Sequence, residues 1–494
     1  MTQLSLTSSL PESRRQEVRN AVKNACDHMN ADGVTPRDYV EQLAWMFFLK
    51  AFDEAETRRE AESAFNDEPY QHRLPRELRW SVWSNQLVTK PDELLTFVDG
   101  KLWPALRTLG SDPVAQQFER IFHTVRNHCR TGTSFAKVVN QVNRLDFGAA
   151  ADIIVLSEIY EGLLKDVAGD SAGYAGEFYT QRHIIKAMVD VTDPELGERV
   201  YDPCFGTAGF LVEAADHIRR KQPTMSTESL GRLNHETFYG VELKPLTYLL
   251  GAMNLLLHGI EGAGLELAST LELHQSNVPE RNRYKVVLAN PPYGGKMDRN
   301  SQDNFTIPSG ATEILFVQHI MASLAKGGRA AVIVPEGVLF RGGPDARVRE
   351  KLLRAFDLHT VLSLPAGCFL PYTGVKTNVI FFDRRMDGKT TDEVWFYELT
   401  NDGFELKQTR RPIEGSQVPD FVEKQKARAE SECSWTVALA DIAEKGWDLT
   451  ARNPNRPEDD EHRPALELVR SIRDKEERIL DLLGELEAML EGEL

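Results

Sequence analysis

Between residues 199 and 383, short apolar runs alternate with longer amphipathic ones, and no other feature of the chain restricts its fold as much. Candidate strands fall at 199–202, 238–243, 285–290, 330–335, 360–364 and 378–383, with candidate helices at 208–221, 245–258, 313–325 and 345–356. A strand that feeds a helix and then another strand at this spacing returns parallel to the first. The segment is therefore expected to be α/β, a doubly wound and mostly parallel sheet. Ligands of such sheets bind beyond the carboxyl ends of the strands, so the turns after the strands are where chemistry belongs.

Two of those turns fit a nucleoside ligand. Tyr201-Asp202-Pro203-Cys204-Phe205-Gly206-Thr207-Ala208-Gly209-Phe210 follows the first strand and opens a helix. Gly206 and Gly209 permit a tight turn and close approach of backbone to a ligand. The next strand ends in Gly240-Val241-Glu242, where a carboxylate can accept hydrogen bonds from two ribose hydroxyls. Either feature alone is ordinary, a glycine turn or a surface carboxylate; at this separation they support each other.

A third turn is more specific. Asn290-Pro291-Pro292-Tyr293 follows the run Val286-Val287-Leu288-Ala289 and so lies beside the same crevice. Read blandly, it is a rigid polyproline turn. Read chemically, each residue type has a task. An exocyclic amine on adenine is a poor nucleophile because its lone pair is delocalised into the ring. The Asn290 side-chain oxygen and the Pro291 carbonyl can accept its two hydrogens, favouring a pyramidal nitrogen and stabilising the positive charge that develops. The prolines hold these acceptors in place, and Tyr293 offers a face on which an extruded base can stack.

Outside the alternating segment, residues 11–167 read as helical, with Tyr39, Leu43, Phe47 and Phe48 at helical spacing, and show no catalytic pattern. After about Arg385 the pattern breaks into short mixed segments, then a polar linker at 451–461. Beyond it, Val469, Ile472, Ile479, Leu483, Leu486 and Leu490 form a short heptad seam, suited to pairing with a partner helix or to folding back on its own domain. The expected domains are 1–168, helical; 169–400, catalytic; 401–462, extension and linker; and 463–494, a partner-binding amphipathic helix.

Charge raises a question. A net charge of −17 and a pI near 5.3 do not suit a chain that grips DNA unaided, because phosphate neutralisation supplies most non-specific affinity. An acidic surface that merely keeps a large protein soluble is one answer, and a partner that carries the positive surface is the other. Five scattered cysteines without a C-x-x-C spacing argue against a disulfide framework and a zinc site. The apolar stretch 43–52 is too short to span a bilayer and contains Lys50, and no secretion signal precedes it. The expectation is a cytoplasmic protein with no membrane contact.

The order Gly176-Glu177-Phe178-Tyr179-Thr180, Asp202-Pro203-x-x-Gly206-Thr207-Ala208-Gly209-Phe210, Glu242 and Asn290-Pro291-Pro292-Tyr293 resembles N6-adenine DNA methyltransferases. More narrowly, it resembles the modification subunit of type I restriction–modification systems. The stretches Pro335-Glu336-Gly337-Val338-Leu339-Phe340-Arg341-Gly342-Gly343 and Gly374-Val375-Lys376-Thr377-Asn378 extend the likeness. The resemblance implies a class I (Rossmann-like) methyltransferase sheet, S-adenosylmethionine as cofactor, no metal, and N6-methyladenine in DNA as product. It implies that Glu177, Phe178, Tyr179, Thr180, Gln181 and Arg182 close over the methionine end of the cofactor. Asp202, Gly206, Thr207 and Ala208 would line its amino-acid and ribose side, and Glu242 would hold the ribose. Gln181 stands where the family usually has proline, and the family's acidic residue before the catalytic strand is matched at best by Asn277, to which no role is assigned. The implied partners are DNA, a separate specificity subunit and a second copy of the modification subunit; whether an endonuclease subunit joins is left open.

Three rivals are weighed against this reading. A stand-alone adenine methyltransferase would need its own reader of base edges, and 385–461 is short and acidic for that. A protein glutamine methyltransferase uses a similar tetrapeptide but leaves the helical domain and the heptad tail unexplained. A non-catalytic cofactor-binding scaffold has no use for both Asn290 and Tyr293.

Overall fold

The computed structural model describes residues 12–65, 69–110, 113–147, 180–272, 280–370, 373–407, 410–450 and 452–455, with 473, 476 and 477. The heptad seam of the tail, Glu177 to Tyr179 and Asn277 lie outside the described residues.

The catalytic segment folds as a nine-stranded sheet: β1 (Val200–Asp202), β2 (Phe238–Glu242), β3 (Gly264–Leu267), β4 (Tyr284–Ala289), β5 (Leu324–Pro335), β6 (Asp357–Ser363), β7 (Thr377–Arg384), β8 (Glu393–Glu398) and β9 (Ser434–Ala438). Their spatial order is β3-β2-β1-β4-β5-β7-β6-β8-β9. β1, β2, β3, β4 and β5 pair in parallel, as do β6 and β8. β7 inserts antiparallel between β5 and β6, and β9 pairs antiparallel to β8. The expected doubly wound, mostly parallel sheet is present.

The strand sequences account for this placement. Val286 to Ala289 and Ala330 to Val334 are buried throughout, as strands covered on both faces by helices must be. The helices between the strands, Gly209–Lys221, Pro245–Leu257, Thr312–Ser323 and Pro344–Ala355, match the four sequence-based helices to within two residues at each end. Pro245 and Pro344 sit at the first helical turn, where a missing N–H is no loss and the fixed φ suits the helix.

The N-terminal region is helical, as expected from its spacing: Glu12–Ala31, Pro36–Phe65, Trp80–Leu87, Pro91–Phe97, Pro113–Thr124 and Gly132–Asn143 are its longer helices. The stretch 43–52, too short for a bilayer, is interior packing: Leu43, Trp45, Phe47, Leu49 and Phe52 are all buried. Pro36–Phe65 and Pro113–Thr124 rest on Pro245–Leu257, and the core of the helical region is continuous with one face of the sheet. Arg59 and Arg73 both pair with Glu261, and Arg120 donates to the Leu265 carbonyl. The helical region thus braces the helix behind the first two strand ends. No helix among the described residues is long and apolar enough to cross a membrane.

Candidate active site

The turn after β1 is built around one aromatic ring. Phe205 is buried, and its ring occupies the space that side chains at Gly240 and Gly251 would fill. A Cβ at Gly240 would lie 2.6 Å from Phe205 Cδ1; at Gly251 it would lie 2.5 Å from Cε2 and 2.7 Å from the Gly206 carbonyl oxygen. With the ring seated, the backbone turns through Gly206 at φ 55° and Ala208 at φ 61°. The left-handed region is natural for glycine and strained for alanine. Ala208 is the N-cap of Gly209–Lys221, so the strained residue starts a helix whose first residues, Gly209 and Phe210, line the crevice. Asn254 Nδ2 donates to the Thr207 carbonyl at 2.8 Å and holds the turn from below.

Two carboxyls flank this turn. Glu242, 9% exposed, accepts the Gly206 N–H on Oε2 at 3.1 Å and the Lys244 N–H on Oε1 at 2.9 Å. A carboxylate offers about four lone-pair sites, so these two bonds leave acceptor capacity for a ligand. Burial pushes the Glu242 carboxyl up, and the N–H groups of Lys244 and Gly206 oppose the rise. Asp202, 1% exposed, accepts the Cys204 N–H on Oδ1 at 3.0 Å. Burial raises its carboxyl to about 8, helped by the charge of Glu242 and opposed by that N–H.

The third turn follows β4. Asn290 Nδ2 donates to Thr180 Oγ1 at 3.0 Å, which orients the amide and leaves Oδ1 as the acceptor. That oxygen receives the Tyr293 hydroxyl. The Tyr293 ring is partly buried against the main core, and burial holds its phenol well above the usual range. Gly294 then turns at φ 74° and donates its N–H to Glu313 Oε1 at 2.8 Å.

Two cavities open between these turns. One, of about 410 Å³, is lined by Thr180, Arg182, Asp202, Gly206, Thr207 and Asn290, with Ile185, Cys204, Phe205, Gly209 and Phe210. The other, of about 940 Å³, is lined by Glu242, Leu243, Lys244, Ser269, Thr270, Leu271, Asn290, Pro292, Thr312 and Phe316 among others. Asn290 and Cys204 border both. Of the residues singled out in the sequence, Thr180, Arg182, Asp202, Gly206, Thr207, Gly209, Glu242, Asn290 and Pro292 line this pair of cavities. Ala208 caps the helix beneath, Gln181 is the N-cap of Arg182–Thr192, Pro291 is buried, and Tyr293 reaches the site through its bond to Asn290. Sequence reasoning placed Phe205 in the turn without a role of its own and did not single out Leu243, Thr270 or Phe316. Only Leu243, an apolar residue directly after the acidic strand end and 63% exposed, carried a signal in the sequence.

His183, Cys368 and Asp402 form the single group of three metal-type donors among the described residues. There Arg410 Nη2 donates to both oxygens of Asp402, at 2.7 and 2.5 Å, while His183 Nε2 and the Cys368 thiol also contact Oδ2. Burial works to raise the Asp402 carboxyl, but the bonds from His183 and Arg410 hold it at about 2. The group is an ion-paired cluster behind the site, with the carboxylate already neutralised.

A glycine turn after the first strand, a carboxylate at the end of the second and an amide-Pro-Pro-aromatic turn after the fourth define a class I methyltransferase acting on an amino nitrogen. Comparison with known proteins narrows the class. Residues 151–463 match the family described as N-6 DNA Methylase, and 18–142 match the HsdM N-terminal domain. The methylase subunit of the Escherichia coli type I restriction enzyme EcoEI is 34% identical, over 96% of this chain and 97% of that protein. The EcoKI methylase subunit of Escherichia coli K12 is 33% identical over 80% of this chain and 72% of its own length. A solved chain from a study of complex assembly and conformational transition of the type I restriction–modification system superposes with a TM-score of 0.71. It is 39% identical and covers 97% of this chain and 99% of that one. The chain belongs to the N-6 DNA methylase family, as a type I restriction–modification methylase subunit that transfers a methyl group to N6 of adenine in DNA.

Proposed function

We propose that the methyl donor is S-adenosylmethionine, held across the two cavities, and that the acceptor is an adenine flipped out of duplex DNA and received at Asn290-Pro291-Pro292-Tyr293. The observation that carries this reading is Asn290, a fixed amide whose side chain borders both cavities. The donor set fits the cofactor. Asp202, Gly206, Thr207 and Ala208 would hold its amino-acid and ribose side, with a helix N-terminus behind them for a carboxylate. Glu242 would take the ribose hydroxyls with its remaining lone pairs, and Glu177 to Arg182 would close over the methionine end. Bound there, S-adenosylmethionine supplies a methyl group already activated by its sulfonium.

The protein's own part is positioning and charge stabilisation. Thr180 holds the Asn290 amide through Nδ2, and Oδ1 is the atom that would face an incoming amine. Oδ1 and the Pro291 carbonyl accept the amine hydrogens, and preorganised acceptors stabilise the charge that grows on nitrogen. Oδ1 keeps a second lone pair for the amine beside the Tyr293 hydroxyl, and the Tyr293 ring, once turned towards the base, serves as the stacking face.

The partner reading answers the charge question. With a net charge of −17, groove reading and much of the phosphate contact belong to a separate specificity subunit, with a second copy of this chain completing the modification complex. Residues 1–168, 169–400, 401–462 and 463–494 are assigned as helical domain, methyltransferase domain, extension with linker, and partner-binding helix. Mapping N6-methyladenine in the DNA of cells with the chain, without it, and with Asn290→Ala tests the reading. Methylated sites should vanish in both altered strains; their persistence with Asn290→Ala would end the catalytic assignment.

A further inference from the structure

The segment that follows the tetrapeptide is clipped along its length to the start of Thr312–Ser323. The Thr312 N–H donates to the Gly295 carbonyl at 3.2 Å, the Met297 N–H to the Gly310 carbonyl at 3.0 Å, and Lys296 bridges Ala311. Gly295 leaves no room for a side chain, since a Cβ would stand 2.5 Å from Thr312 Oγ1. At the end nearest Tyr293 the clip is a side chain. Glu313, 4% exposed, accepts the Gly294 N–H on Oε1 at 2.8 Å, and its Oε2 is buried without a hydrogen-bond partner.

A half-satisfied buried carboxyl is an expensive way to hold a loop, and its position explains its use. Gly294 turns at φ 74°, and its N–H belongs to the peptide that leaves Tyr293, so the bond to Glu313 pins the backbone on the C-terminal side of Tyr293. Tyr293 in turn reaches Asn290 Oδ1. We infer that Glu313 is a positioning residue for methyl transfer: by accepting the Gly294 N–H it fixes the backbone that aims Tyr293 at Asn290 and at the incoming base. It acts through Tyr293 and touches neither base nor cofactor in this role. The acceptor atom is what matters, since the contact is one neutral N–H to one oxygen.

This inference rests on the assignment of Asn290 and Tyr293 to the base, so Asn290→Ala is measured beside it. The test uses the full chain in its assembled complex, on a duplex carrying the site mapped above. Two quantities are read: the single-turnover methylation rate per cofactor-loaded site, and the fluorescence of 2-aminopurine at the target adenine without cofactor. Glu313→Gln keeps an oxygen for Gly294 and should stay within about threefold of the parent. Glu313→Ala removes it and should slow single turnover by about 10²-fold, the scale of a misplacement of about 1 Å. It should also blunt the 2-aminopurine signal while leaving the KM for S-adenosylmethionine within about twofold. Glu313→Asp keeps the charge but withdraws the oxygen, and should behave like the alanine variant; it decides the matter if Glu313→Ala does not fold. A parental rate in Glu313→Asp, or a Glu313→Gln as slow as Glu313→Ala, would overturn the inference. An active Asn290→Ala would instead remove the reading beneath it.

Discussion

The Tyr293 hydroxyl donates to Asn290 Oδ1, the atom assigned to receive the hydrogens of the substrate amine. In this structure the acceptor is therefore occupied by its own neighbour, and Tyr293 is turned inward against the core instead of outward to a base. Turning the ring outward to stack on a base would part the pair. Tyr293→Phe removes the competing donor but keeps the ring. A neutral hydrogen bond nets about 0.5–1.5 kcal/mol, so its effect on kcat should stay under about tenfold. Tyr293→Ala also loses stacking worth about 1–3 kcal/mol and should lose up to about 10²-fold more. Steady-state methylation of a mapped site checks this. Equal damage from both variants would give the hydroxyl, not the ring face, the main role.

Asp202 predicts a proton release. Its carboxyl is raised to about 8 in the ligand-free protein, chiefly by burial. S-adenosylmethionine brings an ammonium and a sulfonium, and opposite charge nearby favours the ionised carboxylate. Binding at pH 7 should therefore expel a proton, and calorimetry in buffers of different ionisation enthalpy should show it. The same shift links pH to the stability of the free chain. A carboxyl raised in the folded state stabilises fully below its unfolded value near 4, and that stabilisation is lost as pH rises through about 8. Asp202→Asn should thus help the ligand-free protein more at pH 8 than at pH 5. A pH-independent melting difference would contradict the assignment.

Glu242 holds two backbone N–H groups before any ligand arrives. Glu242→Ala should therefore weaken cofactor binding beyond the loss of ribose bonds, because the Gly206 turn is released as well. Charged hydrogen bonds contribute about 1.5–3 kcal/mol each, which corresponds to at least about tenfold in Kd. Glu242→Gln, which keeps both oxygen-side geometry and bulk but has only one acceptor oxygen, should fall between parent and alanine. Calorimetric affinity unchanged in Glu242→Ala would place the ribose elsewhere.

The central sheet was legible because its strands are buried on both faces and read as unbroken apolar runs, such as 286–289 and 330–334. β3, β8 and β9 were not. Gly264–Leu267 is a four-residue strand on the outer edge, with Glu266 between its leucines, and so has little pattern to read. Glu393–Glu398 is aromatic-rich and Ser434–Ala438 is not, they lie 35 residues apart after the alternation has lapsed, and pairing with β6 and with each other is what makes them part of the sheet. Of the candidate site, the cavity-lining residues Asn290 and Glu242 were legible, because the proposed chemistry calls for a particular residue type there. Its supports were not: nothing in the sequence says that Gly251, inside a helix, exists to admit the Phe205 ring, or that Glu313 answers Gly294.

Gly251 gives a direct check of that hidden support. In most helices glycine to alanine stabilises. Here the new Cβ would lie 2.5 Å from Phe205 and 2.7 Å from the Gly206 carbonyl, so overpacking of about 1–3 kcal/mol should dominate. Gly251→Ala should lower the melting temperature and weaken cofactor binding together, because the displaced ring carries the Gly206 turn. Gly206→Val should spare the ring but force a β-branched residue to φ 55°, and so should cost affinity more than stability. A Gly251→Ala protein that melts higher than the parent would show that the turn has slack.

The tail tests the partner assignment. Val469, Ile472, Ile479, Leu483, Leu486 and Leu490 repeat at steps suited to a seam with another helix. Truncation before Arg463 removes none of the nine strands and none of the cavity-lining residues, the last strand ending at Ala438. The shortened chain should fold and bind S-adenosylmethionine with parental affinity. It should fail to assemble with the specificity subunit and so lose site-specific methylation, since the remaining chain is still strongly acidic and has little purchase on phosphate by itself. Ile479→Asp with Leu483→Asp should do nearly the same by placing unpaired charge in an apolar seam. A tail that instead packs on its own domain predicts the opposite pattern: a lower melting temperature and weaker cofactor binding in the isolated chain, with assembly retained. Co-purification with the specificity subunit, run beside a melting curve, separates the two. Intact assembly joined to a large loss of melting temperature would reject the partner helix.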